Sequence, residues 1–194
     1  MNTRAAAAAA ATERILEAAR RHFAAAPFDR VTLSEIAAEA HVGVQTLLRR
    51  FASKDELLAA VAQRRSADVR SIRDASPADN PATALRDLVE TYERMGDEVL
   101  ALLAQENRHP VVAAIVQSGR DYHHAWVGRI WVADLRALTR HDRKIRKAQL
   151  IAATDLCTWK IYRRDVGLDR RTAEAAMIAV CSSIVGQDRT AGTP

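Results

Sequence analysis

Residues 32–58 read TLSEIAAEAHVGVQTLLRRFASKDELL, and they contain two helical patterns separated by a short interruption. Thr32 and Glu35 have the spacing of a capping box, in which the hydroxyl accepts from the Glu35 N–H and the carboxylate reaches back. A helix with apolar positions 33, 36, 37 and 40 is predicted to begin there. Residues 41–43 interrupt its pattern, and a second short helix is predicted from Val44 to Phe51. The stretch therefore predicts a helix-turn-helix, a geometry that can place the second helix in a major groove of DNA.

The segments on either side of this stretch also have helical patterns. Apolar residues recur at helical spacing between Thr12 and Pro27 and predict a first helix that ends before the proline. Ser53 is predicted to cap a fourth helix that begins at Lys54. Its charged continuation, Arg64–Asp74, is predicted to connect this region to the rest of the chain.

The weakest helical pattern, at Ala75–Pro81, marks the predicted domain boundary. Residues 1–65 are the predicted DNA-binding domain, with a connecting helix to about residue 75, and residues 76–194 are the predicted second domain. Further helices are predicted over Ala82 to about Glu106, after Pro110, over Asp121–Leu138, over Asp142–Asp165 and over Asp169–Val185. Gly167 is predicted to end the penultimate helix, and Asp169 is predicted to cap the start of the last helix. Since no segment shows strand-like alternation, the predicted fold class is all-α.

Composition and charge narrow the class of protein further. The 194 residues include 29 Lys+Arg and 24 Asp+Glu, a net charge of +5, and the basic excess is denser in residues 1–65. This balance permits nucleic acid as a partner. The run Ala5–Ala11 lacks a signal-peptide pattern and no segment is long enough to span a membrane, so a cytoplasmic protein is predicted. We interpret the run as an extension of the first helix or a loose tail, with an arm that reaches DNA as the alternative.

The two cysteines, Cys157 and Cys181, stand in no metal-binding or redox spacing. A reduced interior is the compartment that fits them. Both are predicted to be small core residues.

The helix-turn-helix region carries a longer pattern, from residue 12 to residue 62. Its members are Phe23, Thr32, Ile36-Ala37, Ala40, Val42, Thr46-Leu47, Phe51, Ser53-Lys54 and Leu57-Leu58. Their order and spacing closely resemble the signature of the TetR family of transcription regulators. The resemblance implies an N-terminal three-helix helix-turn-helix DNA-binding domain, followed by a C-terminal helical ligand-binding and dimerisation domain.

Three positions depart from the family pattern. His41 stands where the turn usually has Gly, Gly43 where it usually has Ser or Thr, and Leu48 where a Tyr is usual. Histidine tolerates left-handed backbone better than a branched residue, and Gly is an acceptable N-cap, so the turn is expected to survive. The lost Tyr hydroxyl often contacts a phosphate in the family, and Arg49 and Arg50 could replace it. Leu48 itself is left open between core and interface.

The predicted DNA-binding residues lie on the second helix of the motif and just beyond it. Gln45 is assigned to base reading, because its amide can pair with adenine N6 and N7, and Val44 to a thymine methyl group. Arg49, Arg50 and Lys54 are assigned to phosphates, where they would give salt-dependent affinity without sequence preference. The full set is Val44, Gln45, Thr46, Leu48, Arg49, Arg50 and Lys54.

The second domain offers apolar helical faces with a few polar groups. A ligand pocket among its middle helices is predicted to be lined by Tyr92, Met95, Val99, Tyr122, His123, Trp126, Ile130 and Trp131. Each of these residues could instead be ordinary core. His123 and His124 are adjacent and point to different helical faces, so a shared metal site is not expected.

By resemblance, the last two helices pair with their copies across a two-fold axis in a homodimer. The predicted interface residues are Trp159, Ala176, Met177, Val180 and Ile184. The alternative is that these faces only complete the core of one subunit. The basic run from Arg140 to Lys147 is interpreted as a solvated helix start or as a partner for acidic groups of the second subunit.

The predicted function is a sequence-specific regulator of transcription. The resemblance implies a repressor that binds palindromic double-stranded operator DNA as a homodimer and is released by an unknown small-molecule effector. The alternative is a regulator of the same fold without a physiological ligand, either a constitutive repressor or an activator. An enzyme is not predicted, because the chain has no nucleophile elbow, phosphate loop or metal-ligand spacing, and no cofactor is expected.

Overall fold

The computed structural model describes residues 3–77 and 79–190, and every regular element in these ranges is helical. The α-helices are α1 (Thr3–Ala25), α2 (Leu33–Glu39), α3 (Val44–Phe51), α4 (Lys54–Arg73), α5 (Pro81–Leu103), α6 (Pro110–Ile130), α7 (Val132–Arg136), α8 (Arg140–Thr154), α9 (Leu156–Lys160) and α10 (Arg170–Thr190). A 3-10 turn precedes α2 and a π-helical turn follows α9. The predicted all-α class is confirmed. Within the described ranges, no helix is both long enough and apolar enough to cross a membrane.

Local chemistry sets the boundaries of the N-terminal helices as predicted. Thr32 caps α2, since its Oγ1 accepts from the Glu35 N–H at 3.3 Å and Glu35 Oε2 accepts from the Thr32 N–H at 3.2 Å. Ser53 accepts from the N–H of Glu56 at 3.1 Å and caps α4. Because α1 begins at Thr3, the alanine run extends the first helix.

Two of the later predicted boundaries are wrong. α6 runs unbroken from Pro110 to Ile130, whereas a break before residue 121 and a helix to residue 138 were expected. No proline stands between residues 110 and 131, and Gly119 is accommodated within the helix. The single helix expected over residues 142–165 is interrupted at Asp155, whose side chain accepts from the Cys157 N–H at 2.8 Å and so caps α9.

The end of the chain follows its predicted cap chemistry more closely. Gly167 has a φ of +77°, the left-handed conformation that ends a helix, and the carboxylate of Asp169 accepts from the Thr172 N–H at 2.9 Å to begin α10. Cys181 is buried in α10, as predicted. Cys157 is exposed, so its prediction as a core residue is wrong, because it lies in the first turn of the separate helix α9.

The described residues form two compact units. The first comprises the described residues up to Asp68 together with Ala101–Gln117. Its core contains Ile15, Ile36, Leu47 and Leu57, all of which are fully buried. Val112 also belongs to this core, so the beginning of α6 is built into the same unit as the helix-turn-helix.

The second unit comprises the described residues of Val69–Leu100 and Ser118–Pro194. Its largest fully buried side chains include three tryptophans, Trp126, Trp131 and Trp159. The Trp159 ring packs directly on Gly96, where an added Cβ would lie 2.6 Å from Cζ3 of the ring. Gly96 therefore has no room for a side chain.

Candidate nucleic-acid interface

The turn between α2 and α3 has the backbone conformation expected for a helix-turn-helix. His41 has a φ of +53°, in the left-handed region, and Gly43 is extended with φ −74° and ψ 147° as the N-cap of α3. The N–H groups of Thr46 and Leu47 donate to the Gly43 carbonyl at 2.9 and 3.1 Å. The departures at positions 41 and 43 are thus compatible with the motif.

Contacts with α1 hold the helix-turn-helix in place. Arg14 Nε donates to the carbonyl oxygen of Ala40 at 3.0 Å, which satisfies a carbonyl at the end of α2. The carboxylate of Glu39 pairs with Arg21 at 2.6 Å and faces His22 at 2.8 Å. Leu47 points inward and is fully buried, so the register of α3 on its core is fixed.

Three of the predicted DNA-binding residues on α3 are presented to solvent. Gln45, Arg49 and Arg50 are exposed. The Arg50 guanidinium donates to the hydroxyl of Thr12 on α1, whereas Arg49 has no such bond to any described residue. This helix can therefore offer an amide and guanidinium groups to a partner.

The three other predicted residues of α3 are half-buried. Val44 packs against the apolar core of the unit, and Leu48 lies outside that core. Thr46 stands one residue beyond Gln45, in the first turn of the helix. Leu48 therefore has surface available where the family pattern has a Tyr.

Lys54 is placed differently from the other predicted phosphate contacts. Its Nζ donates to the carbonyl oxygens of Phe28 and Val31 at 2.8 and 3.0 Å. The same ammonium lies 4.4 Å from the centroid of the Phe28 ring. Two of the three N–H groups of Lys54 are thus used within the unit, and one remains for a phosphate.

Sequence reasoning missed a second set of contacts at Phe28. The Phe28 N–H donates to Gln105 Oε1 at 2.7 Å, and the His109 ring lies 4.9 Å from the Phe28 ring. His109 Nε2 also faces the Asp29 carboxylate at 3.2 Å. No signal in the sequence relates positions 105 and 109 to position 28, because they are separated by about eighty residues.

The predicted ligand-binding residues all lie in the second unit. Trp126, Ile130, Trp131 and His123 are buried, and Tyr92, Met95, Val99 and Tyr122 are half-buried. Tyr92 Oη donates to the Thr154 carbonyl at 3.0 Å, and Tyr122 Oη donates to Asp74 Oδ1 at 2.9 Å. Burial raises the pKa of Tyr122 to about 12. The structure brings three of these rings together. The Trp126 ring centroid lies 5.8 Å from that of His123 and 5.8 Å from that of Trp131.

The predicted dimer-interface residues divide into two sets. Trp159 and Met177 are fully buried within the second unit, and the Trp159 indole donates to Glu93 at 2.8 Å. Ala176 and Ile184 are half-buried, and Val180 is 38% exposed. The surface of α10 available to a partner is therefore the second set.

The basic run on α8 is not wholly a solvated helix start. Arg143 donates to the carbonyl oxygens of Leu135 and Leu138 at 2.9 and 3.1 Å, at and beyond the end of α7, and Arg146 is buried. His123 is buried and His124 exposed, as their adjacency predicted. Across the described residues, no group of three or more His, Cys, Asp or Glu side chains is arranged to hold a metal ion.

The fold and the exposed α3 define the class: an all-helical protein with an N-terminal helix-turn-helix. A family model, "Bacterial regulatory proteins, tetR family", matches residues 15–61. No curated protein matches the chain. The family match confirms the resemblance to the TetR family drawn from residues 12–62.

Solved structures of similar fold extend over nearly the whole chain. A transcriptional regulator from Rhodococcus sp. Rha1 superposes with a TM-score of 0.70 at 18% identity, covering 91% of this chain and 96% of its own. A TetR-like transcriptional regulator from Rhodococcus sp. RHA1 gives a TM-score of 0.66 at 22% identity, covering 94% of this chain and 97% of its own. The chain thus has the fold of a TetR-like transcriptional regulator over more than nine-tenths of its length.

Proposed function

We propose that the protein is a sequence-specific DNA-binding repressor that acts in the cytoplasm as a homodimer and leaves a palindromic operator when it binds a small molecule. Residues 1–65, with the connecting helix to about residue 75, would bind DNA. Residues 76–194 would bind the ligand and the second subunit. The fold of a TetR-like regulator supports the DNA-binding part of this proposal.

The observation that carries the proposal is the division of α3 between two environments. Leu47 is fully buried in the core, while Gln45 and Arg49 on the other side are exposed. A helix anchored on one face and polar on the other can enter the major groove without unfolding its own domain. Gln45 would then read an adenine edge, and Arg49 and Arg50 would neutralise phosphates.

The proposed dimer surface combines α8 and α10, which pack against each other in the second unit. Ile145 on α8 is 46% exposed and Val180 on α10 is 38% exposed. Because Trp159 and Met177 are enclosed within their own subunit, we assign the interface to Val180, with Ala176, Ile184 and Ile145. A two-fold axis through this surface would present two copies of α3 to half-sites about 34 Å apart.

Release from DNA would follow from a shift between two conformations of the dimer. An effector that binds the non-binding conformation more tightly draws the population towards it, whereas one that binds both equally changes nothing. The residues proposed to face the effector are those of the predicted pocket, with His123 and Trp126 at its polar end. A protein whose DNA binding no small molecule alters would be the constitutive alternative.

The test begins with duplexes selected by the purified protein from a random library. The proposal expects enrichment of a two-fold symmetric site, binding that weakens steeply with salt, and a dimer in sedimentation. Val180→Glu should give a monomer with much weaker operator binding. Val166→Glu, a control at another exposed valine of the second unit, should remain dimeric. A monomeric protein that binds no duplex at low ionic strength would overturn the proposal.

A further inference from the structure

The second unit contains a guanidinium buried among aromatic rings. Arg73, in the last turn of α4, is only 4% exposed. Its guanidinium carbon lies 4.4 Å from the ring centroid of Trp126 and 5.0 Å from that of Tyr122. Its Nη2 lies 3.0 Å from Nδ1 of His123. All of these residues belong to the second unit, so the cluster is complete within it.

This buried cation forms no direct ion pair: burial lowers the pKa of Arg73, and the nearby carboxylate of Asp74 opposes that effect. Among the side chains that the structure describes, none forms an ion pair with Arg73. The neighbouring Asp74 accepts instead from Tyr122 Oη at 2.9 Å and pairs with Arg129 at 3.5 Å. Arg129 in turn donates to the Arg73 carbonyl oxygen at 2.6 Å, so it adds a second positive charge nearby. A buried charge without a counter-ion is strongly unfavourable in a folded protein.

His123 does not supply the missing charge. Thr154 Oγ1 donates to the Leu150 carbonyl at 2.7 Å, so it accepts from His123 Nε2 at 3.1 Å. These bonds assign the proton to Nε2 and leave Nδ1 to accept from Arg73. Burial, together with the charge of Arg73, lowers the pKa of His123 to about 4, so the ring is neutral at pH 7. The histidine therefore orients the guanidinium without neutralising it.

Two buried N–H groups in the same cluster have no acceptor among the described residues. They are Nε of Arg73 and Nε1 of Trp126, whose indole is only 2% exposed. Buried donors in folded proteins nearly always have a partner, and each exception requires an explanation. The Trp131 ring, which meets the Trp126 ring edge-on at 5.8 Å, is buried and provides no acceptor. A buried cation without a direct ion pair and two buried donors without acceptors have the chemistry of a site for an oxyanion.

We propose that Arg73 and Trp126 bind the oxyanion of an anionic organic effector whose apolar body contacts the neighbouring aliphatic and aromatic side chains. A carboxylate or a phosphate monoester has this chemistry: its oxygens would accept from Arg73 Nε and Trp126 Nε1 in a charge-assisted arrangement. His123, which accepts from Arg73 Nη2, and Tyr122, whose ring centroid lies 5.0 Å from the guanidinium carbon, are positioning residues. The inference rests on the proposed function, since it names the chemical class of the effector.

The experiment measures binding of defined probes to the full chain by calorimetry and by thermal unfolding. The probes are butanoate, octanoate, dodecanoate, benzoate and octyl phosphate, each compared with the neutral amide or alcohol of the same body, and octylammonium serves as the cationic control. At least one anionic probe should bind about tenfold or more tightly than its neutral counterpart, as expected for a charge-assisted hydrogen bond. Comparison of octanoate with octyl phosphate shows whether a carboxylate or a phosphate is preferred. Anions that bind no better than neutral probes, leaving the donors to water alone, would overturn the inference.

Three variants locate the binding. Arg73→Met should abolish the preference for the anion, and Trp126→Phe, which keeps a ring but removes Nε1, should weaken anion binding several-fold. Arg86→Met removes an exposed arginine of the same unit that pairs with Glu174, and it should bind as the parent protein does. If Arg73→Met fails to fold, Trp126→Phe still decides the question. Undiminished anion preference in a folded Arg73→Met, or in Trp126→Phe, would contradict the site.

A parallel measurement of DNA binding separates this inference from the proposed function. The selected duplex is titrated with protein in the presence and absence of the tightest anionic probe. Anion binding that depends on Arg73 but leaves DNA affinity unchanged would support the site and refute release by that effector class. DNA binding without any anion preference would refute the site and leave the DNA-binding proposal intact.

Discussion

The ammonium of Lys54 donates to the carbonyl oxygen of Phe28 at 2.8 Å and lies 4.4 Å from the centroid of its ring. With a second bond to the Val31 carbonyl at 3.0 Å, Lys54 ties the first turn of α4 to the segment that precedes α2. The interaction lies within the unit that carries the helix-turn-helix. Lys54 therefore has a structural role that precedes any contact with a phosphate.

Lys54→Met is expected to lower the free energy of unfolding by about 2 kcal/mol, because it removes hydrogen bonds from a charged donor to two half-enclosed carbonyls. Urea denaturation measures this change. The slope of log affinity against log salt concentration should change by less than the amount expected for one lost phosphate contact. The reason is that most of the ammonium's donors are already used within the unit.

Arg49→Met is the matched control, because Arg49 is exposed on α3. It should leave stability within about 0.5 kcal/mol and reduce the salt slope by about 0.9. If the two variants exchanged these results, Lys54 would be the phosphate contact that the sequence alone predicted.

Gln45→Ala is expected to relax the sequence preference of the protein at one position of each half-site. The exposed amide can make a bidentate contact with adenine, which contributes about 1–3 kcal/mol of discrimination against other bases. Selection from a random duplex library, repeated with the variant, measures the change. Gln63→Ala, an equivalent substitution at an exposed position of α4, should retain the parent preference; an identical preference in Gln45→Ala would remove the assigned role.

The sequence predicted the parts of the fold that depend on neighbouring residues. The Thr32–Glu35 capping box, the left-handed backbone at His41 and the turn from Gly167 to Asp169 each involve groups within a few positions of one another. The break at Asp155 had a visible signal, a lone acidic residue on an apolar face. Periodicity does not predict this break, because the helical pattern continues on both sides of the cap.

Contacts between distant residues were not predictable in the same way. The bonds from Lys54 and Gln105 to Phe28 join positions far apart in the chain, and only packing brings them together. Arg73 is a second example. It ends a stretch whose sequence predicts a charged, exposed helix, yet its side chain is buried against Trp126 and Tyr122. The pattern of charges along a helix predicts which face is exposed on average. It does not predict the burial of one particular arginine.

Gly96→Ala is expected to destabilise the second unit. The new Cβ would lie 2.6 Å from Cζ3 and 2.7 Å from Cη2 of Trp159, and the buried indole has no room to move away. Overpacking of this kind costs about 1–3 kcal/mol, which chemical denaturation would measure.

The control for this substitution is Gly119→Ala. An added Cβ at Gly119 meets nothing within 4 Å, and the residue is exposed inside α6. Removing a helical glycine there should raise stability by about 0.5–1 kcal/mol. Equal stability of the two variants would show that the Trp159 ring does not pack on Gly96 in solution.

The protein should lose stability as the pH falls from 6.5 towards 4, through the buried ring of His123. In the unfolded chain this histidine has a pKa near 6.5, whereas burial and the charge of Arg73 lower its pKa to about 4 in the folded state, against a smaller opposing effect of Asp155. Between these values the unfolded state binds the extra proton, so stability rises with pH across the window and is retained in full above it. His123→Leu should flatten the dependence of the unfolding free energy on pH between 6.5 and 5, where few carboxylates titrate. His124→Leu, the exposed neighbour, should keep the parent slope, and a slope that persists in His123→Leu would show that another group is responsible.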